Sequence, residues 1–438
     1  MSVLLETKTD SYLQGLVNQF PANSPIPELS QQAITDLVTL TLPDKNDEDW
    51  RFTQLSPLTS LTLSLANQAT LTHDALEQFV LPETEETRIV FVNGVYSSSL
   101  SNLSGLPQGV YVGNFLGAEL AQKEEIVKYL KEGESKDVFS LLNTAGLQDI
   151  GIIRVSKNVV VSQPIQLLYI TVPTDTATLT QPRNLIIVEQ GGQVELCEHY
   201  GAIATNCSDL PQNQSYFNNI VTQIFLEENA HLKHQRIQRE SGDGIQISNT
   251  IVVQGANSNY TLCEISLGAK LSRHNLGIYQ KGEQTTTNLY GLGLVAQQQV
   301  TDIHSNVALA YPHGTVNQTH KCIIDDQGQA VFNGKIIVPQ KAQLTNAAQI
   351  NRNLLLSPQG RVNTKPELQI TADNVKCTHG ATVSQLETDE VFYLRSRGLS
   401  ELDARHILLE AFAEEILEHL SITSLRKRLT QCVACRNY

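Results

Sequence analysis

The side chains with most chemistry to offer lie near the C-terminal end, in Lys376-Cys377-Thr378-His379-Gly380-Ala381-Thr382-Val383. In an extended strand, side chains alternate, so Cys377 and His379 fall on one face, about 6.5–7 Å apart. A thiolate and an imidazole are the soft and borderline donors that iron and its clusters take. The separation is too wide for both to bind one iron. The pair instead suits a site where each donor meets a ligand from another chain. On spacing alone, a satisfied core cysteine beside an ordinary histidine reads the same way.

Other candidates are weaker. Cys432-Val433-Ala434-Cys435 is a lone CxxC near the end of the sequence. Structural zinc takes four ligands and there is no second CxxC. A thioredoxin-type motif needs a βαβ setting, so a frayed tail is the expectation. Cys197-Glu198-His199 repeats the Cys-x-His spacing, and His231 with His234 and His313 with His320 are looser pairs. Polar strand faces often carry such histidines. Gly328 to Lys335 resembles a phosphate loop, but its glycines are one residue too far apart. Ile336 also stands where Ser or Thr should hold magnesium. There is no Gly-x-Ser-x-Gly elbow. Asp325-Asp326 is one carboxylate pair, whereas a polysaccharide-cleaving β-helix needs several.

The elements that must position these residues are mostly strands. From about Ile152 to Ala381 short strands alternate with turns built on small residues, such as Gly191-Gly192, Asn229-Ala230, Gly255-Ala256 and Gly360-Arg361. The turns recur every 15 to 26 residues, read here as one coil of a stacked solenoid, and small residues suit close packing between coils. A two-sheet sandwich is the competing fold, with Asn333-Gly334 as its main hairpin candidate. Helices flank this region. Leu4, Leu5, Tyr12, Leu16, Val17 and Phe20 approximate one apolar stripe, and a second helix is expected from Glu28 to Leu40. The stretch 82–87 reads as an acidic linker before a buried strand at 88–94. Helical pattern returns at 118–130 and 138–145. At the C-terminal end, Thr388 is the expected cap of a helix stopped by Gly398. Ser400, with Asp403 three residues on, opens the next, with Leu402, Leu409, Phe412, Ile416 and Leu420 on one face.

Composition agrees with a large core and with a polar-surfaced, strand-rich solenoid. The chain has 438 residues, 41% hydrophobic and only 6% aromatic. A formal charge of −14 argues against binding nucleic acid or an anionic membrane. The one basic run, Arg426-Lys427-Arg428, reads as a solvated helix face. Seven cysteines, an odd number, fit reduced thiols in a cytoplasm or plastid stroma. No signal core or membrane-length apolar stretch is visible.

Taken together, the segments resemble the SufB/SufD family of the SUF iron–sulfur cluster assembly system. The resemblance rests on Glu48–Thr53 (EDWRFT), Phe91–Gly94 (FVNG), Leu142–Ala145 (LNTA), Phe332–Val338 (FNGKIIV), Asn353–Ser357 (NLLLS) and Pro366–Ile370 (PELQI), and most of all on Lys376–Val383 (KCTHGATV). Val391–Leu399 (VFYLRSRGL) and Ala411-Phe412-Ala413 complete it. Gly380 stands where SufB carries Glu, which points to the SufD branch. The resemblance implies a mainly β chain, a right-handed parallel β-helix between helical domains. Its expected domains are 1–88, 89–380 with a helical lead-in, and 381–438. It implies a non-catalytic scaffold that pairs with SufB along the β-helix and docks the ATPase SufC. SufC would meet Phe392, Tyr393, Arg395, Arg397, Gly398, Ala404 and Phe412. His379, with Cys377 beside it, would lie at the SufB interface, where a transient cluster is shared. Without SufB, exposed sheet edges make a homodimer an expectation. The alternatives are a solenoid dimer with no cofactor and a β-helix carbohydrate-active enzyme.

Overall fold

A computed structural model describes residues 11–204 and 210–435, so Leu4 and Leu5 lie outside the described residues. Its center is a solenoid of about eight turns in which each coil contributes one strand to each of two facing sheets. The first sheet runs from Val110–Asn114 to Arg361–Ile370, and the second from Val95–Tyr96 to Lys376–Ser384. All strand pairs are parallel except the two that open the sheets. The register is unbroken: Asn249, Asn275, His304, Asn333 and Lys365 form one row. Successive coils therefore take 26, 29, 29 and 32 residues. Many of the turn intervals in the sequence mark half coils, because each coil turns at two corners.

Strand alternation divides the solenoid into a lumen and two outer faces. Leu196, Leu232, Leu262, Leu289, Val316 and Ala347 fill the lumen. The outer face of the first sheet packs Phe217 and Ile247 against the helices Ser11–Val17, Pro27–Leu37 and Val138–Ala145. Asp137 caps the last of these, accepting from the N–H groups of Phe139 and Ser140. The second sheet presents Ile237, Ile265 and Leu292 to the C-terminal helices, which answer with Leu409, Ala413, Ile416 and Leu420. The middle strands are therefore buried on both faces and carry long apolar runs, as parallel strands do.

One corner is a ladder of left-handed residues. Asn229, Asn257, Gln284, His313 and Leu344 all have φ between +57° and +62°. Each donates its backbone N–H to a carbonyl of the next coil, from Ala256, Glu283, Pro312, Gln343 and Asn374 in turn. Asn tolerates this conformation because its short polar side chain bonds locally, whereas a branched alkyl chain gains nothing there. Leu344 is half exposed, so its side chain recovers little by burial. Leu344→Asn is expected to stabilise the chain by up to about 1 kcal/mol, read as a higher urea midpoint at unchanged slope.

Several expectations need correction. The stretch 82–87 is no linker. Pro82–Thr84 forms a 3₁₀ turn, Thr84 and Thr87 are buried, and Glu83 accepts from Ser424 at the start of the last helix. The helix Thr388–Ser396 is preceded by Glu387 without a side-chain cap, so Thr388 is inside it. Gly398 does end it, at φ +96°, and Ser400 does accept from Asp403 N–H. Leu402 leaves the expected stripe and is exposed. The basic run is put to structural use: Arg426 pairs with Glu414, and Arg428 donates to the Gln78 carbonyl. Among the described residues, no helix is long and apolar enough to cross a membrane.

Candidate functional site at the open end of the solenoid

The last coil consists of Arg361–Ile370 and Lys376–Ser384, and among the described residues no strand follows either. Pro366 sits in the first of these, where an edge position tolerates a residue without an N–H. In the second, Cys377 lies opposite Ala347 and His379 opposite Gln349. Ala347 and Gln349 are buried in the lumen. Cys377 and His379 therefore share a face, as their spacing requires, but it is the lumen side rather than the outer flank. They remain reachable because the coil that would cover them is missing. Cys377 is half-buried against the lumen core, whereas His379 is exposed. Burial pushes the Cys377 thiol up, with a backbone hydrogen bond from Ala347 opposing. A metal binding there must displace the thiol proton.

The other candidate donors are scattered. Cys197 and His199 face outward beneath the segments carrying Phe79 and Leu81. Burial pushes the Cys197 thiol far up, which makes it inert. Burial also lowers His199 to about 3, so its ring is neutral, and neither ring nitrogen has a hydrogen-bond partner. His231 is exposed, while His234 points into the lumen between Glu198 (2.7 Å) and the Tyr260 hydroxyl (3.0 Å). His313 belongs to the corner ladder and His320 to the lumen. Asp326 is a corner residue whose carboxylate accepts from the Gln297 N–H. Gly328 opens a strand, not a loop before a helix, so the phosphate-loop reading has no structural basis. Cys432 lies within the helix Thr423–Cys435 and packs against the apolar core, so the tail is docked rather than frayed. The side chain of Cys435 lies outside the described residues. Among the described residues, no three His, Cys, Asp or Glu side chains converge as a metal site.

The residues expected to meet SufC divide into two groups. Phe392 and Tyr393 are 72% and 57% exposed, with Arg397 stacked over the Tyr393 ring at 5.3 Å. Arg395 pairs with Glu401 at 3.2 Å, and Gly398 is the helix stop. Exposed Leu402 and Ile407 add to the apolar residues on these first two C-terminal helices. Ala404, by contrast, is fully buried. Phe412 is half-buried beneath the Lys321 ammonium, 4.3 Å from its ring. Lys321 also donates to the Phe412 carbonyl and pairs with Glu415, locking this helix to the second sheet. Ala404 and Phe412 thus pack inward, unlike Phe392 and Tyr393.

The segment Glu48–Thr53 is a latch. Arg273 lies over the Trp50 ring at 3.8 Å and donates to the Asp49 carbonyl and to buried Asp302. Thr53 donates to the same carboxylate, and Lys365 of the last coil pairs with Glu48. Sequence reading passed over a second feature, the charged residues of the lumen. Arg236 and Glu264 stand at inward phase in alternating strands, and that phase was the available signal.

The comparisons with known proteins cover nearly the whole chain. The description "SUF system FeS cluster assembly, SufBD core domain" matches residues 170–412, and "SufBD protein N-terminal region" matches 19–167. An iron–sulfur cluster assembly SufBD family protein of Synechocystis is 49% identical, over 98% of this chain and 96% of that one. The chloroplastic protein ABCI7 of Arabidopsis thaliana is 34% identical over 94% and 87%. The iron–sulfur cluster assembly protein SufD of Escherichia coli is 29% identical over 91% and 90%. A solenoid with an open, donor-bearing end and these matches along both of its parts lead to one assignment: the chain belongs to the SufBD family of iron–sulfur cluster assembly proteins and is SufD-like.

Proposed function

We propose that this chain is a non-catalytic scaffold that joins SufB at the open end of its solenoid and carries SufC on its C-terminal helices. The observation that carries the reading is the uncovered last coil. Its strands present unpaired backbone groups beside Cys377 and His379, and natural proteins rarely leave such an edge bare. A partner solenoid that continues the sheets would cover the edge and bring its own donors to the mouth. A cluster takes about four ligands, and this pair cannot supply them alone. The cluster is therefore shared and transient, a product that leaves rather than a resident group. Without SufB, the same edge would pair with a second copy of the chain. ATP turnover would occur in SufC, and its movement would reach the mouth through the helices locked to the second sheet by Lys321 and Glu415. The cytoplasm or a plastid stroma is the compartment that suits such reduced thiols.

The test is co-expression with SufB and SufC, anaerobic purification, and measurement of iron and acid-labile sulfide. The expected outcome is a complex of all three carrying both. Phe392→Ala with Tyr393→Ala is expected to lose SufC, by tenfold or more in affinity, while SufB stays bound. Loss of neither partner would remove the docking assignment. Full cluster recovery after substituting both Cys377 and His379 would favour a purely structural solenoid.

A further inference from the structure

We propose that Gln349 is a positioning residue for His379: its side-chain carbonyl accepts one ring N–H and so fixes which nitrogen is left to meet iron. The inference rests on the reading of His379 as a cluster ligand. It starts from a row of amides that ends at the mouth. Gln318, Gln349 and His379 are successive partners in the second sheet, all on the lumen side. Gln318 Nε2 donates to Ser305 Oγ across the lumen at 2.8 Å, and Gln349 Nε2 donates to Gln318 Oε1 at 2.8 Å. The donors thus all run inward. This leaves Gln349 Oε1 facing no partner, although the residue is 0% exposed. Leaving such an acceptor unpaired costs about 1–3 kcal/mol. The next residue along the row is His379, whose exposed imidazole is not bonded to Gln349 in this structure and must turn inward to reach Oε1.

Space is reserved for the arrangement. Gly334 lies across the lumen from Gln349, and a Cβ there would come within 2.2 Å of Gln349 Nε2 and 2.7 Å of Phe332 Cζ. Only glycine lets the amide lie flat, which gives the glycine of FNGK a role. The chemistry is of a familiar kind: a histidine that binds metal through one nitrogen gives its other N–H to a carbonyl or carboxylate, which sets the tautomer and holds the ring.

The experiment uses the full chain with ¹⁵N-labelled histidine and reads the His379 tautomer from two-bond ¹H–¹⁵N spectra at pH 8. His379→Ala assigns the signal. Gln349→Leu is expected to change the tautomer ratio by about 3- to 10-fold, as one hydrogen bond would. Gln349→Glu, which keeps an acceptor and adds charge to it, is expected to favour the same tautomer as the parent chain at least as strongly. Gly334→Ala displaces the amide indirectly and is expected to move the ratio as Gln349→Leu does, which keeps the test open should that variant fail to fold. An unchanged ratio in a folded Gln349→Leu chain would overturn the proposal. Cluster yield with SufB and SufC is measured separately. A moved tautomer with normal yield from His379→Ala would leave the positioning intact and remove the ligand role. A fixed tautomer with lost yield would do the reverse.

Discussion

Replacing His379 by alanine is expected to lower the iron and sulfide recovered with SufB and SufC by about tenfold or more, while the melting temperature of the chain barely moves. The two outcomes separate because of where the residue sits. His379 is exposed on an edge strand, and surface substitutions of that kind change stability by no more than about 0.5 kcal/mol. Its imidazole fills no cavity, and water at the open mouth can take its place at Gln349 Oε1, so removing it deletes a donor and little else. Cys377→Ser is the informative companion. That side chain is half-buried against the lumen core, so the hydroxyl costs about 1 kcal/mol besides removing the soft donor. If His379→Ala assembled clusters normally beside SufB and SufC, the mouth of the solenoid would not be the assembly site. Binding of both partners by the variant must be checked in the same preparations, since a lost complex would also lose the cluster.

The sequence made the coils legible because period-two alternation and small-residue turns are local signals. Val138–Ala145 was equally plain, as were Gly398 and Ser400 at their helix ends. The number of residues per coil was not, because turns at both corners look alike until strands pair. Nor was the direction of the donor pair. Spacing puts Cys377 and His379 on one face, but only the register with Ala347 and Gln349 says which face it is. Ala404 and Phe412 fall within the expected pattern but are buried and half-buried, since burial of a helix residue depends on what the helix lies against. The acidic stretch at 82–87 misled for the same reason: Glu83 has its partner 341 residues away at Ser424. The lumen charges were the largest omission. A strand that alternates as Leu232, His234 and Arg236 reads as half polar and solvated, yet all three of these side chains point inward.

Those charges carry the second large expectation: Arg236→Leu should destabilise the chain by about 3–5 kcal/mol. Arg236 is fully buried and donates to Glu264 at 3.0 Å, to Gln246 at 3.0 Å and to Ser248 at 2.7 Å, over the Tyr200 ring. Burial pushes the Glu264 carboxyl up, but His274 and then Arg236 outweigh it and hold the group at about 2. His274 is itself pushed down by burial, so Arg236 is the cation that remains at neutral pH. A depressed carboxylate contributes stability above its ordinary range near 4.5, and that contribution is lost as pH falls toward 2. Removing Arg236 weakens that hold and leaves His274 as the remaining partner of the Glu264 carboxylate. The carboxyl then moves up, and the penalty is greatest at neutral pH, where burial keeps the His274 ring from supplying charge, and is relieved as either group is protonated. The stability deficit, measured by urea denaturation, should therefore be widest near pH 7 and narrow toward pH 4. Arg236→Leu with Glu264→Leu should recover part of the loss, because the Glu264 carboxylate is no longer stranded, although His274 Nδ1 loses its partner. A deficit independent of pH would mean that lost packing over Tyr200, and not the uncompensated charge of buried Glu264, sets the cost. The Cys377–His379 mouth lies several coils away, so the complex bearing Arg236→Leu, kept below its lowered melting temperature, should still assemble clusters if the lumen charges serve only to hold the solenoid together.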